Sequence, residues 1–498
     1  MAKAILTIDQ GTTGTTVMVI AASGRILSRA YGEIRQYYPR PGWVEHDAEQ
    51  IYRSVVRLTH EAIAKAKIDD SDLTGVGITN QRETFVVWER ATGRPVHRAI
   101  VWQCRRSAEI CDNLREREDE IQARTGLLAD PYFSGTKLKW LLDSDSKLRR
   151  RAVEGELCFG TIETWLIFKL SRGTVFASDY TNASRTMMLN LDRLEWDPVM
   201  LEMLGVPASM LPSLVGSRGP IAEAARGTLC GRAIPIAATI GDQQSALFGQ
   251  GGIEAGDAKV TYGTGAFLLA HTGNRRIASR NRLLATSALD SSGAPSYALE
   301  GSVFIAGAAV QWMRDELGLI GSSAETFALA RRSRDQTHPF VVPAFVGLGA
   351  PYWDSEARGA IFGLTRGTTR ADLVRATLDS IAYQVADVLA AIEKDMDGAV
   401  GELRVDGGAA ANDYLMQFQA DLLGRPLRRP AMLETTALGA ALLAGLAVGL
   451  WRAPDRVRDR IGGRPKRFKP TMHQAEREHL LALWHDAVAR TLTRTKIG

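Results

Sequence analysis

Two apolar, β-branched stretches, Ile5-Leu6-Thr7-Ile8 and Val17-Met18-Val19-Ile20, flank a polar run of Asp, Gln, Gly and Thr at residues 9–16. That pattern predicts a strand, a tight turn and a second strand. Residues 259–269 repeat it around Gly263-Thr264-Gly265, and a third Gly-rich turn, Gly407-Gly408, follows a short strand pattern at 402–405. Further strands are predicted at 76–79, at 85–88 and at 233–240, the last running into Gly241-Asp242. Apolar residues at Ile51, Val55, Leu58 and Ala62 are spaced for one face of a helix over 51–66. Helical patterns also cover 373–392 and an amphipathic tail from about Gln474. The apolar run 437–451 is shorter than the roughly 20 residues of a membrane span. With Gly439, Gly445 and Gly449 in it, it reads as a helix buried inside a domain. Strands alternating with helices predict an α/β protein.

A chain of 498 residues is long enough for two or three domains, each with its own core. Gly251-Gly252 marks a hinge, which divides the chain into 1–250 and 251–498. The duplicated hairpin repeats at the scale of domains, and no short repeat or low-complexity tract accompanies it. A net charge of +5 is mild for this length, and no Lys/Arg block is dense enough for a nucleic-acid surface. Arg149-Arg150-Arg151 and the arginines of 425–429 read as solvated faces or turns. Cys104, Cys111, Cys158 and Cys230 lack CxxC spacing, which indicates free thiols in a reducing compartment and no structural zinc. Asp9 and Gln10 interrupt any apolar leader, so no signal peptide and a cytoplasmic location are expected.

The candidate chemistry lies at the turns. Gly11 and Gly14 admit positive φ and a close approach of a ligand to the backbone. Thr12, Thr13, Thr15 and Thr16 offer hydroxyls, and successive amides of such a turn form an anion-binding concavity. Asp9 would repel a phosphate held there unless a cation lay between them, and Mg²⁺ is the natural one. An ordinary hairpin with a polar turn would show the same residues. There is no GxxxxGK[ST], so a P-loop is not the device. Arg82 beside Glu83, after the strand at 76–79, suits the neighbouring hydroxyls of a polyol, or simply a solvated turn. Asp242 opens a helix, either as its N-cap or as a general base kept ionised by the helix N-terminus, with Gln243 beside it.

The paired hairpins and the later Gly-Gly turn resemble the actin-like ATPase fold: two ribonuclease H-like α/β domains with a cleft between them. The resemblance narrows over Asp9-Gln10-Gly11-Thr12-Thr13, Trp43-Val44-Glu45-His46-Asp47, Asn80-Gln81-Arg82-Glu83-Thr84, Gly241-Asp242-Gln243-Gln244, Tyr262-Gly263-Thr264-Gly265 and Gly347-Leu348-Gly349-Ala350-Pro351-Tyr352-Trp353. Together these strings resemble the glycerol kinases of the FGGY carbohydrate kinase family, from about residue 4 to residue 451. The resemblance implies ATP-dependent phosphorylation of glycerol to sn-glycerol 3-phosphate, with Mg²⁺. It implies contacts from Arg82, Glu83, Tyr132, Asp242 and Gln243 to the glycerol hydroxyls, and aromatic walls from Trp102 and Phe267. Asp242 becomes the catalytic base and Asp9 the residue that orients the metal. Thr12, Thr13 and Thr264, with Gly14 and Thr16 in the first turn, fall at the phosphates. Gly307, Gln311, Gly408 and Asn412 fall in the nucleotide pocket, although Gly307 suits close packing and Asn412 a helix cap equally well. Relatives form dimers and tetramers, so a homo-oligomer is expected; the tail helix could serve that or cap its domain.

Two departures stand out. Thr16 occupies a position where related glycerol kinases carry Arg, which keeps open a four-carbon alditol as substrate. The loop 226–232 matches the fructose bisphosphate loop of regulated members only loosely. The phosphate hairpins alone would also suit a pentulose kinase, against which Trp102 and Phe267 narrow the pocket, or an actin-like ATPase without a small-molecule acceptor.

Overall fold

The computed structural model describes residues 3–333 and 338–493; residues 494–498 of the expected second domain lie outside them. Two mixed sheets organise the chain, and their strands are numbered β1 to β13 in chain order. The first sheet holds β1 (Ala4–Gln10), β2 (Gly14–Ala21), β3 (Ile26–Glu33), β4 (Leu73–Asn80), β5 (Arg218–Ala224) and β6 (Ile234–Gly241), in the order β5-β6-β4-β1-β2-β3. The second holds β7 (Ala258–Tyr262), β8 (Ala266–Gly273), β9 (Leu284–Leu289), β10 (Pro295–Val303), β11 (Leu403–Asp406), β12 (Leu427–Arg429) and β13 (Lys466–Phe468), in the order β9-β10-β8-β7-β11-β12-β13. Each sheet has the same centre. A nearly fully buried first strand (β1 or β7) pairs antiparallel with its hairpin partner on one side and parallel with a later strand on the other.

That parallel pairing sets the site. β1, β4 and β6 run side by side in one direction, with Asp9 opposite Thr79 and Thr79 opposite Ile240. Their C-terminal ends are therefore level, and the segments that follow them (11–13, 81–84 and Asp242 onward) leave the sheet at one edge. Ligands of open α/β sheets bind at that edge. In the second sheet Thr261 of β7 lies opposite Asp406 of β11, so Gly263-Thr264-Gly265 and Gly407-Gly408 also emerge together.

The expected helices are present. They are α1 (Ala48–Ala66), α2 (Asp242–Gly249), α4 (Arg370–Met396), α6 (Thr435–Ala447) and α7 (Gln474–Thr491); α3 (Gly307–Asp315), for which no helix is predicted, and α5 (Asp413–Leu423), which follows the candidate cap Asn412, join them. The apolar run read as a buried helix is α6, and it lies on the first sheet although it comes late in the chain. Thr7 Oγ1 donates to the Ala437 carbonyl at 3.0 Å, and Ile5, Met18, Ile20 and Ala237 pack with Ala437 to Ala444 in one apolar cluster. The contacts of α6, with β4 of the sheet and with α2, are too close for side chains at their crossing points. A Cβ on Gly77 would lie 2.3 Å from the Ala440 carbonyl oxygen, and one on Gly439 would lie 2.0 Å from that of Ser245. The first core thus includes a helix from beyond residue 251.

The tail helix covers the second core. Trp484 is buried, stacks on Tyr383 of α4 with ring centroids 5.2 Å apart, and donates from Nε1 to Asp387 at 2.7 Å. Residues from the two stretches on either side of β4, between β3 and β5, build a side wall around a four-stranded sheet (Glu45–His46, Ala99–Ile100, Phe85–Glu89, Leu157–Thr161). Phe267 and Trp353 of the second half pack against the apolar cluster of that wall. Among the described residues no helix is long and apolar enough to cross a membrane.

Candidate active site

The first turn is built so that its carbonyls point away from the cleft. Gly11 O accepts from Gln10 Nε2 at 2.7 Å and from Gln81 Nε2 at 3.2 Å. Thr12 O accepts from Gln36 Nε2 at 2.8 Å, Thr13 O from the Ile34 amide at 3.0 Å, and Gly14 O from the Gly11 amide at 2.9 Å. In a trans peptide the C=O and the following N–H point in opposite directions. Tying the carbonyls of Gly11 and Thr12 therefore aims the amides of Thr12 and Thr13 the other way, and no acceptor takes those amides among the described residues. Buried His46 backs the arrangement. Its Nε2 donates to Gln36 Oε1 at 2.6 Å, and burial holds its pKa down at about 4, so the ring stays neutral.

The second turn has the same electrical form. Gly263 O accepts from the Gly307 amide at 3.0 Å, and Thr264 O accepts from those of Ala306 and Ala308 at 2.9 and 3.0 Å. The amides of Thr264 and Gly265 are left facing outward, again without an acceptor among the described residues. Gly307 serves close packing here, since a Cβ on it would meet Gly263 O at 2.5 Å.

Three details differ from the sequence reading. Neither Gly11 nor Gly14 has a positive φ. Gly14 is needed because a Cβ there would lie 2.6 Å from Gly32 O and 2.8 Å from the Tyr31 ring and hydroxyl. Thr15 lies on the opposite face of β2 from Gly14 and Thr16, fully buried with its hydroxyl unpartnered, so it offers nothing to an anion in the cleft. Thr12 has a second role: its Oγ1 accepts from Trp102 Nε1 at 2.9 Å, joining the aromatic wall to the turn.

Arg82 and Glu83 do not pair with each other. Arg82 grips Glu300 through two hydrogen bonds, at 2.6 and 2.9 Å, and its Nε lies 3.2 Å from Asp242. Arg185 donates to Glu83 at 2.6 Å and to Glu300 at 3.0 Å. Three carboxylates and two guanidiniums thus alternate from Asp242 to Glu83. Although burial opposes it, Arg185 and Arg82 hold Glu300 down at about 2. Burial raises Glu83 instead, with Arg185 opposing. Glu83 sits at φ 61°, a left-handed conformation that a non-glycine residue adopts only where its surroundings impose it. Buried Lys259 donates to Gln243 Oε1 and, at 2.8 Å, to Thr261 Oγ1. Burial brings Lys259 down to about 8, against the pull of Asp406 and Asp242. Sequence reasoning missed Arg185, Glu300, Lys259 and Gln36. Glu300 carried a signal, as the one charge in the strand 295–303.

Asp242 is the first residue of α2, and Gly241 holds the cap position instead. Its Oδ1 accepts from the Gln243 amide at 2.7 Å, and about a quarter of its side chain is open, 27 %. Burial nevertheless raises its pKa, outweighing Arg82 and Lys259, so the helix N-terminus does not set its ionisation alone. Asp9 is pushed up to about 7 by burial and then by the charges of Asp242 and Glu434. A carboxyl raised by neighbouring carboxylates in this way suits a divalent cation. Among the described residues no cluster of three or more ligating side chains could hold a metal ion unaided. An Mg²⁺ ion here would rest on Asp9 and on phosphate oxygens, the usual division of its ligands.

The walls come together as expected. Trp102 meets Tyr132 edge-on at 5.6 Å and Phe267 at 6.0 Å between ring centroids. Beyond the second turn opens a cavity of about 650 Å³, large enough for a nucleoside, whose lining includes Thr264, Gly307, Gln311, Gly408 and Asn412. Asn412 is also the N-cap of α5, accepting from the amides of Tyr414 and Leu415, worth about 1 kcal/mol. Gly408 faces open space, and its neighbour Gly407, at φ 87°, packs on the Tyr262 backbone. Thr16 lies across the hairpin from Asp9, away from this cavity.

Residues 4–249 and 258–448 match the N-terminal and C-terminal domain models of the FGGY family of carbohydrate kinases. A glycerol kinase of Fusobacterium nucleatum is 53% identical over 492 residues, covering 98% of this chain and 99% of that one. Glycerol kinase 2 of Thermotoga maritima is 52% identical over 98% and 99%. Among solved structures, Plasmodium falciparum glycerol kinase with ADP superposes with a TM-score of 0.91 at 35% identity, covering 99% of both chains. A xylulose kinase of Lactobacillus acidophilus, at a TM-score of 0.85 and 20% identity over 98% of both chains, shares the fold.

Proposed function

The chain belongs to the FGGY family of carbohydrate kinases, and from that premise we propose that it transfers the γ-phosphoryl group of ATP to a terminal hydroxyl of glycerol, giving sn-glycerol 3-phosphate and ADP. The observation that carries the reading is the pair of turns with outward amides, one per sheet, on either side of Asp242. Phosphoryl transfer needs little covalent help; it needs in-line placement and neutralised charge. The four amides of Thr12, Thr13, Thr264 and Gly265 supply fixed donors for the phosphates, at no cost in reorganisation. Asp242 takes the proton as the hydroxyl oxygen attacks phosphorus, and the bond to the ADP oxygen breaks. Its raised pKa makes it a better proton acceptor than an ordinary aspartate.

Arg82, Glu83 and Tyr132 bind the remaining hydroxyls, while Trp102 and Phe267 pack on the carbons. Gln243, fixed by Lys259, sits beside the reacting group. Adenosine occupies the 650 Å³ cavity along Gly307, Gln311, Gly408 and Asn412. A bound Mg²⁺ would neutralise charge building on the phosphate oxygens, with Asp9 holding it. We place the enzyme in a reducing, cytoplasmic setting, which its four free thiols suit, and as a homo-oligomer.

The test is a kinetic panel of glycerol, erythritol, threitol and xylulose with Mg-ATP. Glycerol should give the highest kcat/KM. A preference for a tetritol would move the reading to an alditol kinase, and ATP hydrolysis indifferent to acceptor would end it. In Asp242→Asn, turnover should fall by about 10²–10⁴-fold while glycerol binding survives.

A further inference from the structure

Among the described residues, the buried cations that the site supplies are committed. Arg82 and Arg185 are buried and locked by carboxylates. Lys259 is buried and held by Gln243 and Thr261. A polyphosphate arriving at the first turn would therefore meet amides and hydroxyls but no free positive charge from any of these.

An uncommitted candidate for the first turn stands on β3. Asp9, Thr16 and Tyr31 are directly opposite one another across β1, β2 and β3, so they share one face of the sheet. It is the face that α6 covers farther down, because Thr7, two residues before Asp9, bonds to α6. Arg29, two residues from Tyr31, is on this face as well. Its guanidinium lies 3.2 Å from Glu434, the residue that leads into α6 and whose charge reaches Asp9. Arg29 is half-exposed, 51 %, so it can move. Side chains of this row do reach the phosphate turn: the Tyr31 hydroxyl and ring edge lie 2.8 Å from where a Cβ on Gly14 would sit. Strand spacing puts the Arg29 backbone about 12 Å from that of Asp9, within combined reach of an arginine and a phosphate group.

We propose that Arg29 is the polyphosphate-binding cation of the first turn, parked on Glu434 in the free protein and exchanged onto a β- or γ-phosphate oxygen when the Mg-nucleotide enters. An exposed ion pair is worth little, so leaving Glu434 costs little, whereas a charge-assisted bond to phosphate is strong. Glu434, once released, faces Asp9 beside the incoming phosphates. The proposal rests on the kinase reading above for the location of the triphosphate.

Calorimetric titration of Mg-ATP and of AMP into the wild type, Arg29→Gln, Arg29→Lys and Glu434→Gln tests it, with unfolding curves as a check of integrity. Arg29→Gln should weaken Mg-ATP binding about tenfold or more, leave AMP binding within twofold, and leave the KM for glycerol unchanged. Arg29→Lys should recover most of the loss. Glu434→Gln should bind Mg-ATP as tightly as the wild type, or more tightly. The proposal is overturned if Arg29→Gln binds Mg-ATP normally, if it weakens AMP equally, or if Glu434→Gln loses as much affinity as Arg29→Gln. A wild-type protein with no acceptor-dependent transfer would sink the kinase reading instead, and would show it before any variant is made.

Discussion

Around the first turn the backbone is held largely by side chains: adjacent Gln10, and Gln36 and Gln81 from elsewhere in the chain, donate to its carbonyls, and His46 stands behind Gln36. Around the second turn the backbone is held by backbone, as the amides at the start of α3 cap Gly263 and Thr264. Both arrangements leave two amides aimed outward, but they fail differently. The side-chain scaffold can be altered by one substitution at several places, each with a graded effect. The backbone scaffold has no such handle, and its weak point is the glycine that lets the two segments touch.

That contrast can be broken by experiment. Gly307→Ala drives a Cβ against the Gly263 carbonyl oxygen at 2.5 Å, a main-chain atom that cannot rotate away. Overpacking of this kind costs about 3 kcal/mol at the upper end, and kcat/KM for Mg-ATP should fall about 100-fold; a fall below fivefold would mean that α3 shifts freely. Gln36→Leu removes one tie from the first turn and strands the Thr12 carbonyl. The cost is about 2 kcal/mol, or roughly 30-fold in the KM for Mg-ATP, with the KM for glycerol nearly unchanged. An equal loss in both constants would show that Gln36 shapes the whole cleft.

The third test uses Asp9, which adjoins only the first turn. Its folded pKa of about 7 lies above the ordinary 3.8, so between those values the folded protein holds a proton that the unfolded chain has released. Stability from this group is therefore lost as pH rises from about 4 to 7, and Mg²⁺ competes with the same proton. The Mg²⁺ concentration for half-maximal activity should rise by up to about tenfold per pH unit below 7. Asp9→Asn should flatten that dependence, and an unchanged slope in the variant would assign it to another group.

Much of the fold was legible because its signals are local. β-Branched runs around Gly and Thr announced both hairpins, and the spacing of Ile51, Val55, Leu58 and Ala62 announced α1. The burial of α6 was legible too, but its return to the first sheet was not, since nothing near Gly439 says which strand it will meet. The site divides in the same way. Residues at strand ends, such as Asp9, Arg82 and Asp242, are marked by the turn that follows a buried strand. Their partners are not: Arg185 is 102 positions from Glu83, and Glu300 is 218 from Arg82. Only the cost of burying a charge hinted at them, because a lone Glu in an apolar strand must find a cation. The reason for Gly14 was also hidden, as it lies in the Gly32 carbonyl and the Tyr31 ring on the neighbouring strand rather than in a backbone angle.

The most direct measurement is a structure of the protein with glycerol and a non-hydrolysable Mg-ATP analogue. The terminal phosphates should accept, at about 3 Å, from the amides of Thr12 or Thr13 and of Thr264 or Gly265, with a glycerol hydroxyl in hydrogen-bond contact with Asp242. A triphosphate gripped by only one of the two turns, or a glycerol whose hydroxyls all lie away from Asp242, would contradict the account.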